Sequence, residues 1–393
     1  MANYDNRNNY DSYEEQYEYA AKQAPRKQNK QKKVRKTALI IILILAVLIA
    51  AAFILIEVFT EAPDVKDEGL HGDDINIEEG VTNGRYNGMY TFLVVGRDKV
   101  GNNTDTIMVG RLDVVHKTLH VINIPRDTLV NINFNKKNIN YIYPACVNSG
   151  GDAIGSLCEA VSDMLGFNID NYIVVDLQAA EELVDCIGGV EFDVPLDMKY
   201  DDAAQDLHID INAGLQTLDG ANAVKVFRYR EGYANADIGR ISVQQDLLKA
   251  IARQMLTLGN IPNIGEIIDI VENHTETDLT GDNIRFYAKA FLTMKDENIK
   301  FMTLPYVNCG MIFNWSSLFT DIDAWIDMVN EYINPYEDKV KVENVNMLTY
   351  MDGNFYYTSE PMRGSISGML GYTPGTSVDG AGILQYVSKN TDN

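Results

Sequence analysis

Basic residues are scarce in this sequence. Lys and Arg number 33 in 393 residues, against 56 Asp and Glu, for a formal net charge of −23. A fold-wide surface for nucleic acid is excluded, because electrostatic DNA binding needs clustered cations. Cysteine is scarcer still: Cys146, Cys158, Cys186 and Cys309 stand too far apart to form a CxxC pair. That argues against a zinc knuckle or a thioredoxin-like centre, and it leaves any oxidised pairing open among three. GxSxG, HExxH and Walker A are all missing, so serine hydrolases, zincins and P-loop nucleotide enzymes lack their usual residues. The one HxxxH, His116 and His120, falls in a turn running into a strand, not on a helix that would aim both rings at a metal. What is plentiful is apolar: 46% of the chain is hydrophobic, which excludes disorder along its whole length.

Charge and hydropathy divide the chain. The first 36 residues hold nine Lys/Arg and five Asp/Glu, leaving 24 basic and 51 acidic residues, net −27, for the remainder. Residues 1–36 lack apolar periodicity and read as a disordered tail. Ala38 to Ile56, ALIIILILAVLIAAAFILI, is unbroken apolar sequence and as a helix spans roughly 28 Å, close to a bilayer's hydrocarbon core. Seven Lys/Arg precede it between Arg26 and Lys36, and acidic residues from Glu57 follow. The positive-inside rule therefore places residues 1–36 in the cytoplasm and the acidic body outside, joined by one transmembrane helix over 37–59. A cleaved signal peptide would carry a shorter apolar region closer to the N-terminus. Residues 60–87 read as an extracellular linker, 88–335 as the main domain, and the Gly- and Tyr-rich residues 336–393 as a partly ordered extension.

Within the main domain, YTFLVV (90–95), TIMV (106–109) and TLHVINI (118–124) read as three strands. If they form an antiparallel meander, the first ends where the second begins and the third also ends there. Asp98, Asp105 and Arg126 then meet at one end of one sheet. Helical spacing follows over 153–165 and 177–187, the latter closed by Gly188 and Gly189, with strands at 172–175 and 190–194. A short helix is expected over 219–225 and a short strand over 226–230, which would set Arg228 and Arg230 on one face. Residues 241–258 show an amphipathic helical pattern, and Asp237, Arg240 and Gln244 share one face of its start. Mixed helices and strands specify an α/β sandwich.

Taken singly these polar residues are ordinary surface. Taken together, two acids, four arginines and a glutamine suggest a Mg²⁺-assisted pyrophosphate site, with metal and guanidiniums stabilising charge on a departing phosphate.

The blocks FLVVGRD (92–98), TDTIMV (104–109), INIPRDTLV (122–130), NINYIY (138–143), LVDCIGGVEFDVP (183–195), FRYR (227–230) and ADIGRISVQQ (236–245) resemble, in order, those of the LytR-CpsA-Psr domain. The resemblance implies a three-layer α/β/α sandwich with a central mixed sheet and a deep apolar pocket for a polyprenyl chain. It implies a single-pass cell-membrane phosphotransferase of Gram-positive bacteria. Such an enzyme moves a teichoic acid or capsule-like glycopolymer from an undecaprenyl-pyrophosphate carrier to peptidoglycan, forming a phosphodiester. It assigns Mg²⁺ to Asp98 and Asp105, pyrophosphate to Arg126, Arg228, Arg230, Arg240 and Gln244, and catalytic roles to Arg126, Arg230 and Asp237. A polyprenyl-pyrophosphate hydrolase or a non-enzymatic membrane regulator would use the same residues. Two departures stand out: Arg97 occupies a position often small, and Asn138 stands where Lys is common, with Lys136 or Lys137 as neighbouring substitutes.

Overall fold

The computed structural model describes residues 62–65, 84–97, 102–202, 207–233, 237–256, 264–312, 315–351, 354–364 and 383–386. Residues 1–36, read as a disordered tail, and the apolar run at 38–56 lie outside them. Among the described residues no helix is long and apolar enough to cross a membrane. All described residues belong to one unit, Glu61–Asn393.

The chain opens with the expected meander: β1 (Met89–Arg97), β2 (Thr104–Asp113) and β3 (Thr118–Asn123), antiparallel in register with Leu93 opposite Val109 and Val109 opposite Ile122. Then come α1 (Ile142–Ser149), α2 (Ala153–Leu165), β4 (Asn171–Asp176), α3 (Leu177–Cys186) and strands β5 (Val190–Val194), β6 (Met198–Asp202), β7 (Leu207–Ile211) and β8 (Gly214–Leu218). Helices α4 (Gly220–Arg228), α5 (Asp237–Met255) and α6 (Ile264–His274) lead to β9 (Thr275–Thr277), α7 (Gly281–Leu292) and β10 (Ile299–Thr303). The hairpin β11 (Tyr306–Ile312) and β12 (Trp315–Thr320) precedes α8 (Ile322–Met328), and β13 (Leu348–Met351), β14 (Asn354–Tyr357) and β15 (Ile383–Gln385) end the described chain.

The central sheet runs β10-β3-β2-β1-β4-β9. It is mixed: β1 pairs parallel with β4 and β3 parallel with β10, while the other pairs are antiparallel. Strand alternation gives it two different faces. Leu93, Val95, Ile107, Val109 and Ile122 point into the larger core, where Ile142, Leu157, Val161, Leu165 and Trp325 meet them. Val94, Gly96, Thr106, Met108 and Val175 face the other way, toward α3, α4 and α5. Those helices share a second core with β5 to β8, built on Val184, Phe192, Ile209, Leu218, Ala223 and Leu247. Aspartates begin several helices: Asp152, Asp176 and Asp219 each accept a hydrogen bond from the backbone N–H three residues on, at 2.8–2.9 Å.

Where α3 meets α4 the contact is close enough to need glycine. A Cβ on Gly220 would lie 2.1 Å from the carbonyl oxygen of Glu181, so the first residue of α4 lies directly against the backbone of α3.

One reading is corrected here. Residues 226–228 are not strand: α4 continues to Arg228, and only Tyr229 turns extended. The apolar residues Ala223, Val224 and Val226 bury a helical face, and that burial outweighs the strand preference of a Val-Phe pair.

The segment beyond residue 335 is packed rather than appended. Val340, Val345, Met347 and Tyr386 belong to the larger core, and Leu348, Phe355 and Met362 form a third cluster with Leu129, Ile312 and Phe319. Before β1, the buried Arg85 forms an ion pair with buried Asp170, which precedes β4. Asp170 also accepts from the Thr91 backbone N–H at 2.7 Å and from its hydroxyl at 2.8 Å.

Candidate active site

Between the free sheet face and the second core lies a cavity of roughly 400 Å³. Its apolar lining includes Leu183, Val184, Val224, Phe227, Leu248 and Ile251, from α3, α4 and α5. Its polar lining gathers Asp105, Arg126, Arg228, Arg230 and Gln244. The charged end faces solvent: the side chains of Asp105 and Arg230 are 40% and 53% exposed, whereas Leu247 and Ala223 in the wall are 1% and 2% exposed.

The meander delivers two of these groups as its connectivity requires. Asp105 follows the first residue of β2, and Arg126 lies three residues past the end of β3, so both sit at one sheet end. Arg126 donates from Nη1 to Asp105 Oδ1 at 2.9 Å. Arg230 donates to the other oxygen, Oδ2. One carboxylate thus holds two guanidiniums side by side, in charge-assisted bonds of the strong kind.

Arg228 and Arg230 line the same cavity, but not by strand alternation. Arg228 is the last residue of α4 and Arg230 follows the extended Tyr229. Tyr229 between them is buried in the second core. Gln244, on α5, donates to the carbonyl of Phe227 at 2.9 Å, tying the long helix to the end of α4. Asp237 is the first residue of α5, as its sequence pattern indicates, and Arg240 lies one turn later. The side chains of Asp237 and Arg240, and the whole of Asp98, fall outside the described residues.

Neither lysine proposed as a substitute at Asn138 enters the cavity. Lys136 stacks over the Tyr141 ring at 5.6 Å. Lys137 is fully buried and donates to the carbonyls of Ile132 and Arg363, so its charge secures the chain beyond residue 335 to the main body. Asn138 itself is buried and donates to the carbonyls of Asp127 and Ser316, at 3.1 and 2.8 Å. Burial lowers the Lys137 ammonium from 10.5 to about 8. Below pH 8 the lysine is charged in both folded and unfolded chains, and the full cost of burying it is present. Between pH 8 and 10.5 the folded chain binds fewer protons, so this residue's contribution to stability rises with pH. Denaturant unfolding of the native protein relative to Lys137→Met is expected to shift in the native protein's favour by on the order of 2–3 kcal/mol between pH 7.5 and 10. A difference that stays flat over that range would exclude a depressed lysine.

Sequence reasoning missed several residues of the cavity. Arg97, Asp176, Tyr200 and Glu231 line it as well. Arg97 was legible only as a bulky residue beside Asp98; the register irregularity at this strand end skips Asp105 on β2 and leaves Arg97 opposite Thr104.

Among the described residues no three His, Cys, Asp or Glu side chains are grouped as a protein metal cage requires. Asp105 is a half-exposed carboxylate at the charged end of the cavity. Mg²⁺ commonly takes one or two carboxylates and completes its shell with water and phosphate oxygens. One such carboxylate, whose two oxygens here accept from Arg126 and Arg230, is compatible with an ion of that kind but does not by itself form a metal site.

The model of the LytR_cpsA_psr family matches residues 54–334. The chain belongs to that family. Among LytR-CpsA-Psr relatives, the polyisoprenyl-teichoic acid–peptidoglycan teichoic acid transferase TagV of Bacillus subtilis is 28% identical over 177 residues, 45% of either chain. The regulatory protein MsrR of Staphylococcus aureus is 23% identical over 270 residues, 67% of this chain and 77% of its own. The match to TagV thus spans less than half of that relative's length. The crystal structure of B. subtilis TagV shares the fold, with a TM-score of 0.53 and 22% identity over 63% of this chain and 97% of that one. A structure of TagT bound to LI-WTA gives a TM-score of 0.50 and 18% identity over 68% and 96%. As in the fold class expected of LytR-CpsA-Psr proteins, helices and strands here build a central mixed sheet.

Proposed function

We propose that this protein is a membrane-anchored phosphotransferase that moves a glycopolymer from an undecaprenyl-pyrophosphate carrier to peptidoglycan. The observation that carries the reading is one cavity with both halves of such a donor's chemistry. Its wall of Leu, Val, Phe and Ile suits a prenyl chain, and Arg126, Arg228 and Arg230 at its charged end suit a pyrophosphate. The family, and the teichoic acid transferase TagV to which the chain is similar, support the same reaction class. The apolar run at 38–56 is the proposed anchor, with the catalytic body outside the cell.

In this reading the acceptor hydroxyl of peptidoglycan attacks the phosphorus that bears the sugar. The bond from that phosphorus to the bridging oxygen breaks, and polyprenyl phosphate leaves with the electron pair. A phosphodiester joins glycopolymer and wall. Arg126 and Arg230 are fixed by Asp105 before substrate arrives, so no reorganisation is needed to meet charge developing on the leaving phosphate. Arg228, Arg240 and Gln244 are assigned to holding the pyrophosphate. Asp237 is assigned to accepting the hydroxyl proton or orienting an arginine. Asp98 and Asp105 would hold Mg²⁺, which when bound neutralises charge on phosphate oxygens as a Lewis acid.

The test uses the full chain in detergent with a polyprenyl-pyrophosphate-linked oligosaccharide and a peptidoglycan oligomer. Mass spectrometry is expected to find a joined phosphodiester that requires Mg²⁺ and is lost in Arg126→Ala. Polyprenyl phosphate released without a joined product would mark a hydrolase instead. No turnover and no lipid binding would return the protein to the non-enzymatic class.

A further inference from the structure

Arg97 lines the cavity alongside Asp105, Arg126, Arg228 and Arg230, yet it is held by an entirely different set of groups. Its Nη1 donates to the Tyr143 hydroxyl at 2.9 Å. That hydroxyl in turn donates to Glu276 Oε2 at 3.0 Å. The Glu276 carboxylate lies 3.7 Å from the same Arg97 nitrogen, and the guanidinium carbon sits 5.7 Å from the centre of the Tyr143 ring. Arg97 is thus stacked, hydrogen-bonded and charge-balanced from one side. Its Nε is buried and has no hydrogen-bond partner.

These contacts come from three separate elements. Arg97 ends β1, Tyr143 lies in α1 and Glu276 lies in β9. Tyr143 is 3% exposed, so the hydroxyl that orients Arg97 is itself fixed by packing. Across β1 the neighbours of Arg97 are Thr104, which immediately precedes Asp105, and Asp176 of β4. Arg97 therefore stands at the same sheet end as Asp105. Orienting a rotamer-rich arginine before the ligand arrives lowers the entropy cost of binding.

We infer that Arg97 binds the donor as a further guanidinium of the proposed phosphotransferase, contacting the second phosphoryl group of a prenyl diphosphate, with Tyr143 and Glu276 as its positioning residues. Arg126 and Arg230 are coupled to each other through a single carboxylate, whereas Arg97 is independent of it. Two groups of cations with separate supports suit a ligand with two phosphoryl groups better than a monoester. This inference rests on the reading that the cavity takes a prenyl diphosphate.

The alternative role for Arg97 is a clip that joins β1, α1 and β9 and never meets a ligand. Discrimination between a diphosphate and a monophosphate separates the two. Farnesyl diphosphate and farnesyl monophosphate are titrated into the full chain in detergent, with Mg²⁺ present, by calorimetry. Arg97→Ala is expected to weaken the diphosphate roughly tenfold, the loss of one charge-assisted contact, and to leave the monophosphate within about twofold. Tyr143→Phe keeps the packing but removes the hydroxyl, and is expected to give a smaller loss, about threefold, confined to the diphosphate. Arg97→Lys, which keeps the charge, is expected to recover part of the Arg97→Ala loss. Equal weakening of both ligands in Arg97→Ala, or no change in either while the native protein binds, overturns the inference and leaves the proposed function standing. Failure of the native protein to bind farnesyl diphosphate overturns both.

Discussion

Asp105→Ala is expected to reduce transfer by about two to three orders of magnitude, the size of effect seen when preorganised charge stabilisation is removed from an active site. The expectation follows from what Asp105 holds. Its two oxygens accept from Arg126 and from Arg230, one arriving from the end of β3 and the other from the segment after α4. Without the carboxylate, two half-exposed guanidiniums repel each other and lose their shared geometry. A proposed ligand for Mg²⁺ is lost as well. Donor binding is expected to fall far less than turnover, because both arginines remain to attract phosphate. Melting temperature is expected to stay within about 2 °C, since a surface ion pair contributes about 1 kcal/mol or less. Turnover in Asp105→Ala within fivefold of native would remove Asp105 from the chemistry.

The largest effect on folding is expected at the other pole of the molecule. Asp170→Ala is expected to cost about 3–5 kcal/mol, because it leaves the Arg85 guanidinium buried without its counter-charge. The site is dry: Arg85 is 5% exposed and Asp170 1%. The aspartate also loses its bonds from the Thr91 backbone and hydroxyl. At roughly 2–4 °C per kcal/mol for a domain of this scale, the melting temperature is expected to fall by about 10 °C. Changing both partners together, Arg85→Met with Asp170→Leu, is expected to recover a large part of that loss, since a buried pair replaced whole by apolar groups is often neutral. Equal melting temperatures for native protein and Asp170→Ala would show that the pair is solvated.

How far the sequence announced these features depends on the range of the interactions behind them. The three-strand meander was legible because each strand's alternation is local and the turns between them are short. Its consequence, Asp105 beside Arg126, follows from connectivity alone. The start of α5 at Asp237 and the glycine pair closing α3 were legible for the same reason. Residues 226–228 were misread because the deciding factor, burial of an α4 face against α3 and the second core, involves residues some 40 positions away. Lys137 was misplaced because a charged side chain is rarely expected inside. Of the two carbonyls that accept its hydrogen bonds, one lies 226 residues on. The core residues beyond 335 lack strong periodicity of their own. Val345 and Met347 fill space beside residues nearly 200 positions earlier. The setting of Arg97 depends on two partners from other elements, Tyr143 and Glu276.

The order of strands in the sheet also bears on how the chain emerges from the ribosome. The outer strands are β9 and β10, supplied by residues 275–303, while the four inner strands are complete by residue 176. For nearly a hundred residues of synthesis, from 176 to 275, the nascent chain carries a four-stranded ribbon with both margins bare. Unpaired margins of that kind recruit other chains. A message truncated between codons 180 and 270 would therefore encode a sticky product, and native assembly must wait until the last third of the polypeptide is in hand.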